Sequence, residues 1–195
     1  MIKFLRRSQS EGPGLSEHSF EIYEVLKVPK AKDLDIPAIT KAVLRKLEIL
    51  QNKQKKAKLL KTIAPLRLPW VPAVLLELLS DPCEEIRDIV VKELAARDDW
   101  PIQKAYEKLS RPPWYVKSSA LRILSLKKCA DAVRHIRLVL EDPNVEVRRS
   151  AAGALGEIGG QEARALLIGI AKDKNLYVRK AAQEALEKIC DLKFS

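Results

Sequence analysis

The chain has 195 residues, of which 47% are hydrophobic and 5% aromatic, and its 36 Lys and Arg outnumber 26 Asp and Glu for a formal net charge of +10. This length suits one domain or one repeat array with an appendage. No apolar run approaches the ~20 residues of a membrane-spanning helix, and no signal-peptide core follows the basic residues 1–7. We therefore expect a cytoplasmic protein without a membrane span. Three widely spaced cysteines favour neither a disulfide framework nor a zinc site.

The basic character belongs to the N-terminal third of the chain. Residues 1–70 carry 15 Lys and Arg against 7 Asp and Glu, whereas the remaining residues carry 21 against 19. Residues 1–34 contain Gly12-Pro13-Gly14 and predict a polar arm, with a short helix at about residues 17–28 that places Phe20, Tyr23 and Leu26 near one face.

Residues 35–65 predict a basic helical segment that packs on the first repeat. Asp35 is a good N-cap, and Pro37 stands early in the helix, where a missing N–H costs least. Gln51-Asn52 leaves open whether this segment is one helix or two. Its basic residues are densest at Lys53, Lys55, Lys56, Lys58 and Lys61.

Three interpretations of this basic patch remain open. It is a solvated helix face, a docking surface for an acidic protein, or a nucleic-acid contact, since phosphate neutralisation needs only clustered Lys and Arg. No aromatic residue falls between Asp35 and Trp70, which speaks against base stacking of the single-strand type.

Residues 66–195 repeat at intervals of 30 or 31 residues. Each unit contains a first helix, a short turn and a second helix, and the second helices are anchored on Ile86, Val116, Val147 and Val178. Eight positions after each anchor the residues are Leu94, Leu124, Leu155 and Leu186. A helix pair with apolar stripes on both helices must stack on its neighbours to bury them. We therefore predict an all-α fold, a right-handed α-solenoid of about four helix pairs with an N-terminal helical segment.

The turns between the two helices of a unit carry capping signals. Asp81 and Asp142 each precede a proline, which predicts an N-cap followed by a proline at the first helical position. Gly159-Gly160 predicts a C-terminal stop for the third second helix.

An Asp five residues before the anchor and an Arg one residue after it, followed by Ala and Leu at helical spacing, resemble the HEAT repeat. The short period resembles the subgroup called phycobilisome-lyase HEAT-like repeats, over about residues 70–190. The resemblance implies a ladder of charged hydrogen bonds between repeats, formed by Asp81, Asp142 and Asp173 with Arg87, Arg148 and Arg179. The second unit departs from it, with Arg111 for the Asp and Lys117 for the Arg.

The residues offer little catalytic chemistry. His18 and His135 have no further ligand at metal-binding spacing, and the serines lack a nearby base. The glycines from Gly153 to Gly160 indicate close helix packing and a cap, because no strand precedes them and no Lys-Ser/Thr follows. We therefore expect no metal, no cofactor and no enzymatic activity.

The three tryptophans invite comparison with HEAT-like DNA glycosylases, which hold damaged DNA with tryptophans and an Asp. Trp70 and Trp100 share one column at the start of first helices, and Asp99 adjoins Trp100. We expect these two tryptophans to pack in the core or at its edge, and Trp114, Val145 and Leu176 to be buried.

The expected function is a protein-interaction scaffold that binds another polypeptide on a concave face formed by the second helices. The predicted contact residues are Asp88, Lys92, Ser118, Arg122, Arg149, Lys180 and Glu184. Their mixed charge suits a polypeptide better than a polyphosphate. One alternative is a nucleic-acid-binding, DNA-repair-like protein that uses the basic helices. A second alternative is an accessory subunit of a lyase or protein-modifying enzyme.

Overall fold

The computed structural model describes residues 35–191, and these are all-α with no β-strand among them. The predicted polar arm, with its short helix at residues 17–28 and His18, lies outside the described residues. The first helices of the successive pairs are α1 (Ile36–Ile49), α3 (Val71–Leu78), α5 (Gln103–Lys108), α7 (Ala132–Ile136, continued by the 3-10 helix Arg137–Val139) and α9 (Gly160–Ile170). The second helices are α2 (Lys53–Ile63), α4 (Glu84–Ala95), α6 (Trp114–Leu126), α8 (Val145–Ile158) and α10 (Leu176–Asp191).

The second helices form a continuous row. Helix α2 contacts α4, α4 contacts α6, α6 contacts α8 and α8 contacts α10, while α3, α5, α7 and α9 each contact the second helix of their own pair. This confirms the predicted α-solenoid. None of the helices in the described residues is both long and apolar enough to cross a membrane.

The leucine column, eight positions after the anchors, lies at the interfaces between pairs. Leu94, Leu124 and Leu155 are fully buried, and each lies on a helix that contacts the second helix of the following pair. Leu186, in the last pair of the described residues, is half-buried. Each buried leucine contributes about 1.5–3 kcal/mol of transfer free energy, so the column holds the stack together.

The N-terminal basic segment is itself a helix pair in register with the repeats. Asn52 divides it, since its side chain caps α2 by accepting a hydrogen bond from the Lys55 amide at 3.0 Å. Leu60 and Ile63 are buried, and they stand 31 residues before Val91 and Leu94, the buried residues of α4. The described residues thus contain five stacked pairs.

The turns before α4 and α8 differ from the prediction. Asp81 and Asp142 are not N-caps, because α4 starts after Cys83 and α8 after Asn144. Each Asp instead accepts, at 2.9 Å, a hydrogen bond from the amide two residues later. The proline that follows each Asp lies in the turn rather than in the helix. This turn leaves the second carboxylate oxygen of each Asp available to a neighbouring pair.

Helix α8 ends where predicted. Gly159 has a φ of 73°, a conformation that L side chains rarely adopt. Its amide donates to the Leu155 carbonyl at 2.9 Å.

Candidate interaction surface

Arg148 connects two neighbouring pairs through a two-pronged bond to Asp173. Its Nε donates to Asp173 Oδ2 at 2.8 Å and its Nη2 to Oδ1 at 3.1 Å. Its Nη1 donates to the Asp142 carbonyl at 2.8 Å. The guanidinium lowers the pKa of the Asp173 carboxyl below its ordinary value, chiefly through these side-chain hydrogen bonds and against the effect of burial. Both side chains are shielded from solvent, so the fork is a tight link between α8 and the last pair.

Lysines make the corresponding link at two other junctions. Lys117 Nζ donates to Asp142 Oδ2 at 2.6 Å, and Lys56 donates to Asp81. Each ammonium reaches a single carboxylate oxygen, because it is a point donor without the planar fork of an arginine. Arg179 lies one pair further on, and its Nη1 donates to the Asp173 carbonyl at 2.8 Å.

At the junction between α4 and α6, Arg87 has no carboxylate partner among residues 35–190. Arg111 occupies the position where the other turns have an Asp. The Arg87 guanidinium lies 4.5 Å from the centre of the Tyr115 ring. Its Nη1 donates to the carbonyls of Asp81 and Pro82, both at 2.8 Å. Arg87 therefore meets this junction through a cation–π contact with Tyr115 rather than through a bond to a carboxylate.

A groove runs along the second helices from α4 to α10. It consists of two depressions of about 370 Å³ and 470 Å³, which share Arg122, Arg149 and Ser150. The first lies between α4, α6 and α8, and the second between α6, α8 and α10. Successive repeats therefore contribute to one elongated surface, which we call the second-helix groove.

The charged side chains of the second-helix groove largely neutralise one another. Arg122 donates to Asp88 at 2.5 Å across α4 and α6, and Lys188 donates to Glu157 at 2.5 Å across α8 and α10. Arg149 bonds Glu146 within α8 at 2.7 Å. Such exposed pairs contribute ~0–1 kcal/mol each to stability. The groove therefore offers alternating donors and acceptors rather than a field of one sign.

The structure brings five of the seven predicted contact residues to this groove. Those that line it are Asp88, Ser118, Arg122, Arg149 and Glu184. Lys92 and Lys180 are exposed on the same helices but outside it. The expected exposure of Ser118 is not observed, because this residue is half-buried. Its hydroxyl oxygen is shielded from solvent and forms no hydrogen bond with any described residue.

The prediction that Trp114 and Leu176 are buried is wrong. Trp114 is 44% exposed, Leu176 is 51% exposed and Val145 is half-buried. Each of these residues stands two positions before its anchor, and two residues turn a helix by about 200°. An inward-facing anchor therefore places them on the opposite side. Trp114 lines the second-helix groove and meets the Tyr115 ring edge-on, with 5.8 Å between ring centres.

The other two tryptophans belong to the core. Trp70 is 1% and Trp100 8% exposed, and Trp100 Nε1 donates to the Leu94 carbonyl at 3.0 Å. Asp99 is engaged in a fork with Arg97, at 2.8 and 2.6 Å, which lowers the pKa of its carboxyl. These residues do not form the exposed Trp–Asp arrangement of the glycosylase comparison.

Sequence reasoning did not single out Arg97. Its side chain is almost fully buried, and its Nη1 donates to the carbonyls of Ala64 and Leu66 at 2.7 and 2.9 Å. It thus bonds the end of α2 to the end of α4. Its position in a polar stretch with Asp98 and Asp99 gave no apolar signal for burial.

The basic patch lies on α2, at the N-terminal end of the row of second helices. Lys53, Lys55, Lys58 and Lys61 are exposed, whereas Lys56 is half-buried against Asp81. Four of the five predicted lysines are therefore available to a partner. His135 is half-buried on α7, and its ring stacks on the Tyr106 ring with 4.0 Å between the ring centres.

The described residues contain no cluster of His, Cys, Asp and Glu that could hold a metal ion. A family profile described as HEAT repeats matches residues 102–187, which span α5 to α9 and much of α10. This match supports HEAT-type repeats and does not distinguish the phycobilisome-lyase subgroup. No curated protein matches the chain.

Several solved structures of designed or engineered proteins are similar to the chain. One engineered protein is 20% identical with a TM-score of 0.48, over 88% of this chain and 98% of that chain. A second engineered protein is 21% identical with a TM-score of 0.45, over 88% of each chain. A designed armadillo repeat protein in complex with the peptide (KR)4 is 20% identical with a TM-score of 0.46, over 86% of this chain and 80% of that chain.

Proposed function

We propose that this chain is a non-enzymatic scaffold that binds a segment of another polypeptide in the second-helix groove. The observation that carries the proposal is the continuity of this groove across α4, α6, α8 and α10, with two depressions that share residues. A repeat array presents such an elongated surface because each pair adds an equivalent helix to it.

The chemistry of the groove favours a polypeptide of mixed or low charge. Its ion pairs leave little net field to attract phosphates, whereas their outer atoms remain available to backbone amides and carbonyls. Trp114 adds a large, partly exposed aromatic surface at one end. Tryptophan is enriched among the residues that dominate binding energy at protein interfaces. We infer that Trp114 is the apolar anchor and that Arg122 and Arg149 orient the bound backbone.

The short period of 30 or 31 residues supports a finer proposal, that the repeats are of the phycobilisome-lyase HEAT-like type. Chains of that type need not act on pigments. The scaffold function proposed here requires only the stacked pairs and the groove.

A peptide-display selection tests the function. A library of random 12-residue peptides is selected against the full chain, and dissociation constants are measured for the enriched peptides. Trp114→Ala and the double variant Arg122→Glu/Arg149→Glu are each expected to weaken binding by ~10-fold or more, as for residues at the centre of an interface. The matched control is Lys92→Glu/Lys180→Glu, which makes the same charge change on second helices outside the groove and should bind normally.

Two outcomes would overturn the proposal. In the first, the groove variants and the control variant change the affinity for the selected peptides by the same factor. The other is tight binding of duplex DNA at about 0.15 M salt that collapses in Lys53→Gln/Lys55→Gln/Lys58→Gln/Lys61→Gln. The salt slope of DNA binding would then fall by ~0.9 for each phosphate that a lysine no longer neutralises. That result would establish the nucleic-acid alternative.

A further inference from the structure

A larger groove lies on the other side of the solenoid, between first helices. It has a volume of about 1110 Å³ and is lined by α1, α3, α5 and the turn that follows α5. The half-buried side chains of Leu44, Ala73 and Leu76 contribute apolar surface to it. Ile36, which lines one end, is 46% exposed. We call this surface the first-helix groove.

The charges around the first-helix groove are not balanced. Glu77 and Glu107 are paired with Lys108 at 3.8 Å and Lys104 at 3.0 Å. The side chains of Lys41, Arg45 and Arg111 are exposed, and within residues 35–190 they form no ion pair or hydrogen bond. Among the described residues that line the groove, Glu48 is the one acidic side chain that also forms no ion pair or hydrogen bond within residues 35–190. The groove therefore combines an apolar surface with surplus positive charge.

The chain contains a segment with the complementary pattern. Residues 17–28 carry three acidic side chains, Glu17, Glu21 and Glu24, against the single basic Lys27. Phe20 and Tyr23 recur at the spacing of one helix face. The acidic residues fall at positions i, i+4 and i+7, which a helix would place on an adjoining face.

We propose that residues 17–28 dock as a helix in the first-helix groove, as an intramolecular first element of the array. Phe20 and Tyr23 then cover Leu44 and Leu76, and Glu21 and Glu24 face Arg45 and Arg111. This inference concerns the opposite surface from the peptide-binding groove and stands independently of the proposed function.

The lengths are compatible with this docking. A 12-residue helix is ~18 Å long, and the groove follows α1 from Ile36 to Glu48, which is about the same length. Residues 29–34 connect the two elements and span up to ~20 Å when extended. Connections of this size commonly join antiparallel helices. Since Ile36 and Pro37 line the groove, the segment enters at its edge.

Thiol labelling in the full chain tests the docking. Ala73 is half-buried in the groove, so Ala73→Cys places a small thiol there with little disturbance. Cys190 is exposed and is replaced by Ser, and the maleimide-labelled peptides are quantified by mass spectrometry. In a second chain Phe20→Asp/Tyr23→Asp removes the apolar face of the segment, which lies outside the described solenoid. The control thiol is Ser150→Cys, in the second-helix groove.

Labelling of the thiol at position 73 is expected to be at least ~10-fold faster with Phe20→Asp/Tyr23→Asp, because the rate follows the open population. The thiol at position 150 should label at the same rate in both chains. Arg45→Glu/Arg111→Glu should also accelerate labelling at position 73, and adding Glu21→Arg/Glu24→Arg should restore protection.

Equal labelling rates at position 73 with and without the Phe20 and Tyr23 changes would overturn the proposal. So would protection that disappears on about 100-fold dilution, because an intramolecular contact does not depend on concentration whereas a second copy does. Failure of the charge swap to restore protection would refute the assigned orientation of the segment. None of these outcomes bears on peptide binding at Trp114.

Discussion

Replacing Gly156 by alanine tests how closely α8 and α10 pack. A Cβ at Gly156 would lie 2.6 Å from the Ala185 Cβ and 2.9 Å from the Ala185 Cα. Carbon atoms in contact prefer ~3.5–4.0 Å, so the two helices must separate by about 1 Å. The clash involves the backbone of α10, which cannot turn away as a flexible side chain would.

The magnitude follows from two opposing effects. Alanine favours a helix interior over glycine by ~1 kcal/mol, while overpacking a close contact costs ~1–3 kcal/mol and more when backbone must move. We expect Gly156→Ala to destabilise the protein by about 1–2 kcal/mol. Gly153 is the matched control in the same helix, since a Cβ there meets nothing within 4 Å. Gly153→Ala should therefore stabilise by ~0.5–1 kcal/mol.

Thermal unfolding followed by circular dichroism measures both variants. A change of 1 kcal/mol shifts the Tm of a chain of this size by ~2–4 °C, so the two Tm values should differ by ~3–12 °C with opposite signs relative to the unsubstituted chain. If both alanines raised the Tm equally, the close approach of α8 and α10 would be refuted.

Three further predictions concern the links between pairs. Arg148→Lys should destabilise by ~2 kcal/mol, since a lysine cannot reproduce the fork on Asp173, whereas Lys117→Arg should change the Tm little; equal shifts in urea or thermal unfolding would contradict the fork. Leu155→Asp should cost at least ~3–5 kcal/mol through weakened packing and a buried carboxylate, and an unchanged melting curve would show that the register of α8 is wrong. Because the folded pKa of the Asp173 carboxyl is lowered, its contribution is present above the unfolded pKa of ~3.9 and is lost as the pH falls through the lower folded value. The stability difference between the unsubstituted chain and Arg148→Met should therefore shrink below about pH 4, and a difference that stays constant down to strongly acidic pH in urea titrations would count against this coupling.

The repeat period and the apolar columns were readable from the sequence because each helix pair obeys the same local rules. The spacing of Val147 and Val178 sets which side of α8 and α10 faces inward, and Leu155 follows from it by helical geometry. Local signals also marked Asp35 and Gly159 at helix ends. The arm and the partner-binding role of the groove residues remain predictions.

Tertiary structure alone showed what covers each outward-facing residue. A sequence pattern determines the direction of a side chain about its own helix axis, but not whether another element reaches that side. The predicted burial of Trp114 is wrong because this residue, which is 44% exposed, lies on the side of α6 opposite the inward-facing Val116. The sequence does not reveal the N-terminal pair as a repeat, because Lys56 does not match the Asp-and-Arg motif of the later repeats. Its ion pair with Asp81 forms only when the pairs stack. Burial of Arg97 likewise depends on the carbonyls of Ala64 and Leu66, which lie 33 and 31 residues away along the chain, since long-range packing brings together hydrogen-bonding partners that no local periodicity encodes.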